Sequence, residues 1–472
     1  MTTLSRVVLL AALLHAVVAC SPAPDSLVTA APVDGFATEG HLTSKMPYLP
    51  LQAAGDYTDV PAGFSLWQLQ LVARHGARAL SGPGDDELSL ALWRQAADEN
   101  ALTALGRLLG PVLEALRQAN VEVGYGAISA LGEREQQDLA ARLLLRHPDF
   151  ADALRTAGRP IAVLHSGRER ADQSADAFVA GLLQQAPHLA SLVAPPRAVP
   201  ATLYFHSAEG SPDYERYRKD DARLAATLTA LAALPETPRM ARQLLAPLYT
   251  EAFIDSLEAG RYQWAAPSDP EETLDSLLDA AQLLYGLYSV ASNLADEGDW
   301  QFGRFMEPEA TAWLAFLDDA ETFYERGPGF ADEDVSYRAA VALLDDFFLG
   351  IDAALHDPAG VGMALRFTHA QALIPFAVLL GIEGSFEPLP EGVLYSYRSS
   401  GWRSERTAPM SANIQWEVYR NAGGEVIVRM LHQEAEVRFK TECSPYAAAS
   451  FFYALDELRR CYERAQPIGP AA

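Results

Sequence analysis

Residues Trp67-Gln68-Leu69-Gln70-Leu71-Val72-Ala73 place apolar side chains at 67, 69, 71 and 73, and the run then stops on Arg74-His75-Gly76-Ala77-Arg78. Alternation with a period of two marks a β-strand. Its tip sets an imidazole between two guanidinium groups, with a glycine that lets the backbone turn tightly. A strand ending this way suits an open α/β sheet, where ligands bind at the carboxyl ends of the strands. Two fixed cations beside a nucleophilic ring nitrogen fit a phosphate ester. Arginine holds its oxygens in bidentate fashion while the imidazole attacks phosphorus. Taken alone, the same five residues also read as a solvated loop, so the rest of the chain decides.

The 472 residues leave room for two or three domains, or for one core with a large insertion. A formal net charge of -26 argues against sequence-independent nucleic-acid binding. It also requires any phosphate site to be a local basic pocket in a negative surface. No Cys/His spacing resembles a zinc site, and neither a His-Glu-x-x-His motif nor a Walker-type loop occurs. No metal or cofactor is expected.

Residues 1–6 form a short positive segment and residues 7–19 an apolar one too short to span a bilayer as a helix. They end in Val17-Val18-Ala19-Cys20, which resembles the bacterial lipobox, where the cysteine becomes the lipidated first residue. Ordinary signal cleavage is the other reading. Residues 1–20 are thus expected to be a lipoprotein-type signal peptide, with Cys20 the lipidation site. The protein is then exported to the bacterial envelope, membrane-attached only through that anchor, or else periplasmic or secreted. Residues 21–60, with Pro22, Pro24, Pro32, Pro47 and Pro50, read as a tether and lead-in. Cys443 and Cys461 remain. They either pair in an oxidising compartment, closing a loop worth roughly 3 kcal/mol in the chain-entropy model, or stay as buried thiols.

Helical spacing is expected over 87–99, 102–117 and 132–147, the last with Leu139, Ala140, Leu143 and Leu144 on one face. A second strand, 161–164, leads into Ser166-Gly167-Arg168-Glu169-Arg170 and a helix over 171–183, whose N-terminus beside Arg170 suits an anion. Residues 186–355 are mostly helical, including 221–234, 239–245, 273–295, 308–326 and 335–354, and look like an insertion. A third strand, 361–367, ends in Thr368-His369-Ala370-Gln371. A helix follows to Gly381, with Pro375 expected in its first turn. Three strands therefore end in polar tips carrying Arg74/His75/Arg78, Arg170 and His369.

On these motifs the chain resembles the histidine acid phosphatase branch of the histidine phosphatase superfamily, and is similar to its multiple inositol polyphosphate phosphatases and phytase-like enzymes. Arg74-His75-Gly76-Ala77-Arg78 matches Arg-His-Gly-x-Arg, and Arg170 with Ser174-Ala175 matches Arg-x-x-x-Ser-Ala. The stretches 320–329 and 428–443 are similar to later family segments. The resemblance implies a three-layer α/β/α, phosphoglycerate-mutase-like core over 61–185 and 356–465, with a helical cap inserted at 186–355. It implies metal-independent hydrolysis of a small-molecule phosphate ester through a phosphohistidine at His75. Arg74, Arg78, Arg170 and His369 would hold the phosphoryl oxygens.

Where the inositol-phosphatase branch has His-Ala-Glu, this chain has His369-Ala370-Gln371. Gln371 can donate a hydrogen bond but has no acidic proton for the leaving alcohol, and loss of a general acid costs about 10²- to 10⁴-fold. The alternative is therefore a catalytically weak, phosphate-ester-binding envelope protein, with Glu434 a substitute acid by alignment. The stretches Gly82-Pro83-Gly84-Asp85-Asp86 and Gln433-Glu434-Ala435 lack the lysines frequent in the family, so a cation-poor pocket is expected.

Overall fold

A computed structural model describes residues 41–53, 55–206, 211–390 and 392–464. The signal segment with Cys20, and the first part of the expected tether, lie outside these residues. The strands are β1 Phe64–Arg74, β2 Ile161–His165, β3 Arg197–Ala198, β4 Trp264–Ala266, β5 Asp269–Leu274, β6 Met363–Thr368, β7 Asn413–Asn421, β8 Val426–His432, β9 Ala435–Val437 and β10 Phe452–Ala454.

Among the described residues, two compact units divide the chain. The first holds the sheet and draws on 44–79, 126–220 and the chain from 322 onward. Its strand order is β10-β8-β7-β1-β6-β2-β3, with β9 beside β8. β1 is parallel to β6, β6 to β2 and β2 to β3, while β7 runs antiparallel to β1. The register sets Arg74 opposite Thr368 and His165 opposite Phe367, so three parallel strands end side by side.

The alternation of β1 explains both covering layers. Leu69, Leu71 and Ala73 join Ile161, Val163, Leu365 and Phe367 in one core with helices Ala130–Arg146 and Glu169–Gln185. On the opposite face the Gln70 amide donates to the Phe347 carbonyl at 2.7 Å and the Gln68 amide to that of Gly350 at 3.0 Å. Arg366 of β6 reaches Asp346 at 2.6 Å. Helix Val341–His356 is thus held to the sheet by buried, satisfied polar groups. The expected mixed α/β fold, helices on both faces of a central sheet, is what forms.

The second unit, drawn from 80–125 and 221–321 with residues 41–43, is helical apart from the β4–β5 hairpin. Leu92, Leu109 and Leu113 meet Leu245, Tyr249, Leu283 and Leu284 around one small apolar cavity. These units depart from the boundaries expected for the cap: 80–125 joins the helical unit, whereas 186–220 and 322–355 stay with the sheet. Helix type alone carries no record of which layer a helix packs on.

Local differences have local causes. The helix expected from 273 begins at Leu277, because Thr273 and Leu274 belong to β5 and Ser276 caps the helix in a reciprocal box with Asp279. The helix expected over 335–354 splits into Val335–Arg338 and Val341–His356. Pro375 lies past the first turn of helix Ala370–Leu380 and has no N–H to give the Gln371 carbonyl. Gly381 (φ 68°) closes that helix as expected. The lead-in is packed rather than free. Tyr48 is buried, its N–H donating to Glu135 at 2.7 Å and its hydroxyl to Glu434 at 2.9 Å. Cys443 and Cys461 form a disulfide.

Candidate active site

The loop after β1 is held from beneath. The His75 N–H donates to the Thr368 carbonyl at 2.9 Å, which locks the ends of β1 and β6 together. The Gly76 N–H donates to Ser174 Oγ at 3.1 Å, and that hydroxyl donates to the Arg170 carbonyl at 2.6 Å. The Ala77 N–H donates to Glu135 Oε2 at 2.9 Å. Gly76 and Gly132 make the approach possible: a Cβ on Gly76 would lie 2.4 Å from the Gly132 carbonyl oxygen, and one on Gly132 would lie 2.1 Å from that of Ala77. Helix Ala130–Arg146, capped by the Ser129 hydroxyl, therefore seats its first turn against the loop.

Glu135 also accepts from the Tyr48 N–H and from the Ser411 hydroxyl at 2.8 Å. Burial pushes its carboxyl up, while those donors and Arg74 oppose the shift. Gln136 next to it donates to the Arg74 carbonyl at 2.9 Å. Neither residue belongs to a motif that marks it as a site residue. Their signal is positional, since 135 and 136 lie four residues before Leu139 and Ala140, putting polar groups on the helix's apolar face.

The residues expected at the strand tips come together in the sheet-bearing unit. His75 is 3% exposed and His369 fully buried, with ring centroids 5.3 Å apart, edge to face. His75 Nδ1 lies 2.9 Å from its neighbour's carbonyl, Gly76 O, which can only accept. The Nδ1 proton is thereby fixed, and Nε2 keeps its lone pair. Burial first, then Arg74, Arg170, His369 and Arg78, hold His75 well below the usual imidazole range. Burial, Arg170, His206, Arg74 and Arg78 do the same to His369. Both rings are neutral in mild acid. The Arg74 guanidinium donates to the Ser44 and Ala408 carbonyls, and that of Arg78 to the Ala79 carbonyl at 2.6 Å. Arg170 Nε is buried with no hydrogen-bond partner among the described residues.

Further groups, outside the strand-tip motifs, surround His369. Ser166, the residue after β2, sets its Oγ 2.8 Å from His369 Nε2. The Thr368 hydroxyl donates to the Leu203 carbonyl at 2.5 Å, drawing the following residues over the strand ends. The Tyr204 ring then stands 5.2 Å and the His206 ring 6.5 Å from that of His369. The Arg168 guanidinium lies 4.7 Å from the centre of the Tyr204 ring. Burial, then Arg326, Arg218, Arg168 and Arg170, push His206 down to about 3. Arg168, Arg218 and Arg326 bring positive charge to His206 from outside the two stretches that lack lysine.

Gln371 stands in the first turn of helix Ala370–Leu380, half-buried. Glu434 does not replace an acid there. Its two oxygens take bonds from Arg142 at 2.8–3.1 Å, from Arg146 at 3.1 Å and from the Tyr48 hydroxyl. Both of its oxygens are thus engaged by guanidinium groups and the Tyr48 hydroxyl rather than turned to a leaving group. Among the described residues, neither His75 nor His369 is hydrogen-bonded to a carboxylate.

Residues 65–433 match the model of the histidine phosphatase superfamily (branch 2). Multiple inositol polyphosphate phosphatase 1 of Gallus gallus is 24% identical over 85% of this chain and 84% of its own. The Bifidobacterium longum multiple inositol polyphosphate phosphatase, solved in complex with inositol hexasulfate, is 30% identical over 89% of this chain and 97% of its own, with a TM-score of 0.83. Its phosphate complex superposes with a TM-score of 0.85, at the same identity and coverage. The phytase from D. castellii shares the fold, at 16% identity over 89% of this chain and 84% of its own, with a TM-score of 0.61. The chain belongs to the histidine phosphatase superfamily (branch 2), and it is a phosphatase.

Proposed function

We propose that the protein hydrolyses phosphomonoesters through a phosphohistidine on His75, with inositol polyphosphates as the substrate class. The neutral His75–His369 pair at the adjoining ends of β1 and β6, set among Arg74, Arg78 and Arg170, carries the reading. His75 Nε2 attacks phosphorus as the ester P–O bond breaks. The arginines and His369 meet the charge on the equatorial oxygens. Water then attacks the phosphohistidine, the P–N bond breaks, and inorganic phosphate leaves. The additional cations Arg168, Arg218 and Arg326 near His206 support a substrate with more than one phosphate.

The inositol phosphatase names of the relatives point the same way. Gln371 marks the weak step, protonation of the leaving alcohol, and favours a second reading in which the pocket binds phosphate esters and turns them over slowly. Phosphate release from inositol hexakisphosphate and 4-nitrophenyl phosphate, with His75→Ala as control, separates the two. Release from both that is lost in the mutant supports the hydrolase. Calorimetric binding of the inositol ester without release supports the binding protein, and unchanged release by His75→Ala contradicts the mechanism. We further propose export as a lipoprotein through Cys20, which the Cys443–Cys461 disulfide supports. Labelling with a palmitate analogue, lost in Cys20→Ala, checks it.

A further inference from the structure

Ser166 is buried at 2% exposure directly after β2, where its N–H donates to the Phe367 carbonyl at 3.1 Å. Its hydroxyl has two neighbours: the Arg168 N–H, which can only donate, at 3.3 Å, and His369 Nε2 at 2.8 Å. His369 Nδ1 is buried and has no hydrogen-bond partner among the described residues. A neutral imidazole carries one N–H, so two arrangements are open. If Nε2 holds it, Ser166 Oγ accepts from both neighbours and its own buried proton has no acceptor. The bare Nδ1 lone pair would then face phosphoryl oxygens that are themselves only acceptors. If Nδ1 holds it, the Ser166 hydroxyl donates to Nε2 and accepts from Arg168, and both its valences are used. The remaining buried N–H on Nδ1 is then the donor that a phosphoryl oxygen completes.

We propose that Ser166 is a positioning residue: its hydroxyl donates to His369 Nε2 and so fixes the tautomer in which Nδ1–H binds the transferred phosphoryl group. This rests on His369 contacting phosphate, as in the function proposed above. It also accounts for a serine at the tip of β2 beside the basic Arg168 and Arg170. Without that hydroxyl, Nε2 is left buried and unpaired, and the ring is free to move its proton there, turning the donor into a repelling lone pair.

The test has two arms. In full-length protein labelled with ¹⁵N-histidine, His369 is assigned by its loss in His369→Gln. The expected spectrum has a pyrrole-type Nδ1 and a pyridine-type Nε2, with Nδ1–H shifting when inorganic phosphate is added. A pyrrole-type Nε2 overturns the proposal. In steady-state kinetics, Ser166→Ala is expected to lower kcat about 10- to 100-fold, the usual cost of removing a histidine's orienting partner. KM should change much less, and Ser166→Thr should restore most of the loss. Wild-type kcat in Ser166→Ala, or equal losses in Ala and Thr variants, overturns it; if Ser166→Ala does not fold, the spectrum decides alone. The tautomer is read without turnover, so its failure stands apart from failure of the phosphatase reading, which His75→Ala tests.

Discussion

At the scale of single residues, the chemistry turns on keeping His75 unprotonated in acid. Burial and neighbouring arginines hold it well below 6.5, so its lone pair persists as pH falls. Phosphate release should therefore show no acid limb at pH 6.5 from the nucleophile; a limb there in kcat/KM would place His75 outside the role assigned to it. His75→Ala should lower release by at least about 10⁴-fold, as expected for loss of a covalent nucleophile. Gln371 lies two residues beyond His369, and Glu434 is locked onto Arg142 and Arg146. Gln371→Glu should then raise turnover of alkyl esters such as inositol phosphates by about 10²- to 10⁴-fold. Aryl esters, whose leaving groups need no proton, should gain little. Equal gains on both would mean that leaving-group protonation does not limit the enzyme.

Between elements, the site depends on how closely helix Ala130–Arg146 approaches the loop after β1. Gly132→Ala would force a methyl to 2.1 Å from the Ala77 carbonyl oxygen. Such overpacking costs about 1–3 kcal/mol. Thermal unfolding should show that loss, with a fall in kcat because the loop carrying His75 must shift; an unperturbed variant would show the contact to be slack. The strand tips were legible because each couples a periodic apolar run to charged residues, and the ordered set of tips identified the sheet's ligand-binding edge. Glu135, Ser166 and Ser411 were not legible, because each acts through a partner remote in sequence. Strand β7 was also missed. Asn413, Gln415 and Glu417 are fully buried in it, and their partners, among them Arg146, come from other elements. Ile414, Trp416 and Val418 alternate with these polar residues, so the strand itself is readable; what the sequence does not carry is that the polar face is buried too.

Over the whole chain, buried titratable groups make stability depend on pH. In the sheet-bearing unit, burial pushes His432 down to about 4 despite its bond to the Thr407 carbonyl. The unfolded chain binds that proton near 6.5, so stability falls as pH drops from about 6.5 toward 4. His75, His369 and His206 are lowered too and add losses of the same sign. Burial raises Glu417, but His147 and Arg429 outweigh it and hold the carboxyl well below its usual range. Its contribution is present above about 4.5 and is lost as pH falls further. Denaturant midpoints should therefore decline between pH 6.5 and 4, and His432→Gln should flatten part of that slope; a midpoint independent of pH across this window would contradict the assignment. Asp86, in the helical unit, has the opposite sign. Burial raises it to about 6 against bonds from Tyr125 and Asn120, so its contribution is lost as pH rises from about 4 through 6. Hydrogen exchange over helix Gly84–Asp98 should slow on acidification through that range and lose this response in Asp86→Asn.

The central claim is that phosphate passes through His75. Rapid quenching of the enzyme with ³²P-labelled substrate, followed by peptide mapping, tests it most directly. The expected result is an acid-labile, base-stable phosphopeptide containing His75 that forms and decays at rates consistent with turnover and is absent from His75→Ala. Turnover without labelled enzyme under single-turnover conditions, together with inversion of configuration at a chiral phosphorus, would contradict it.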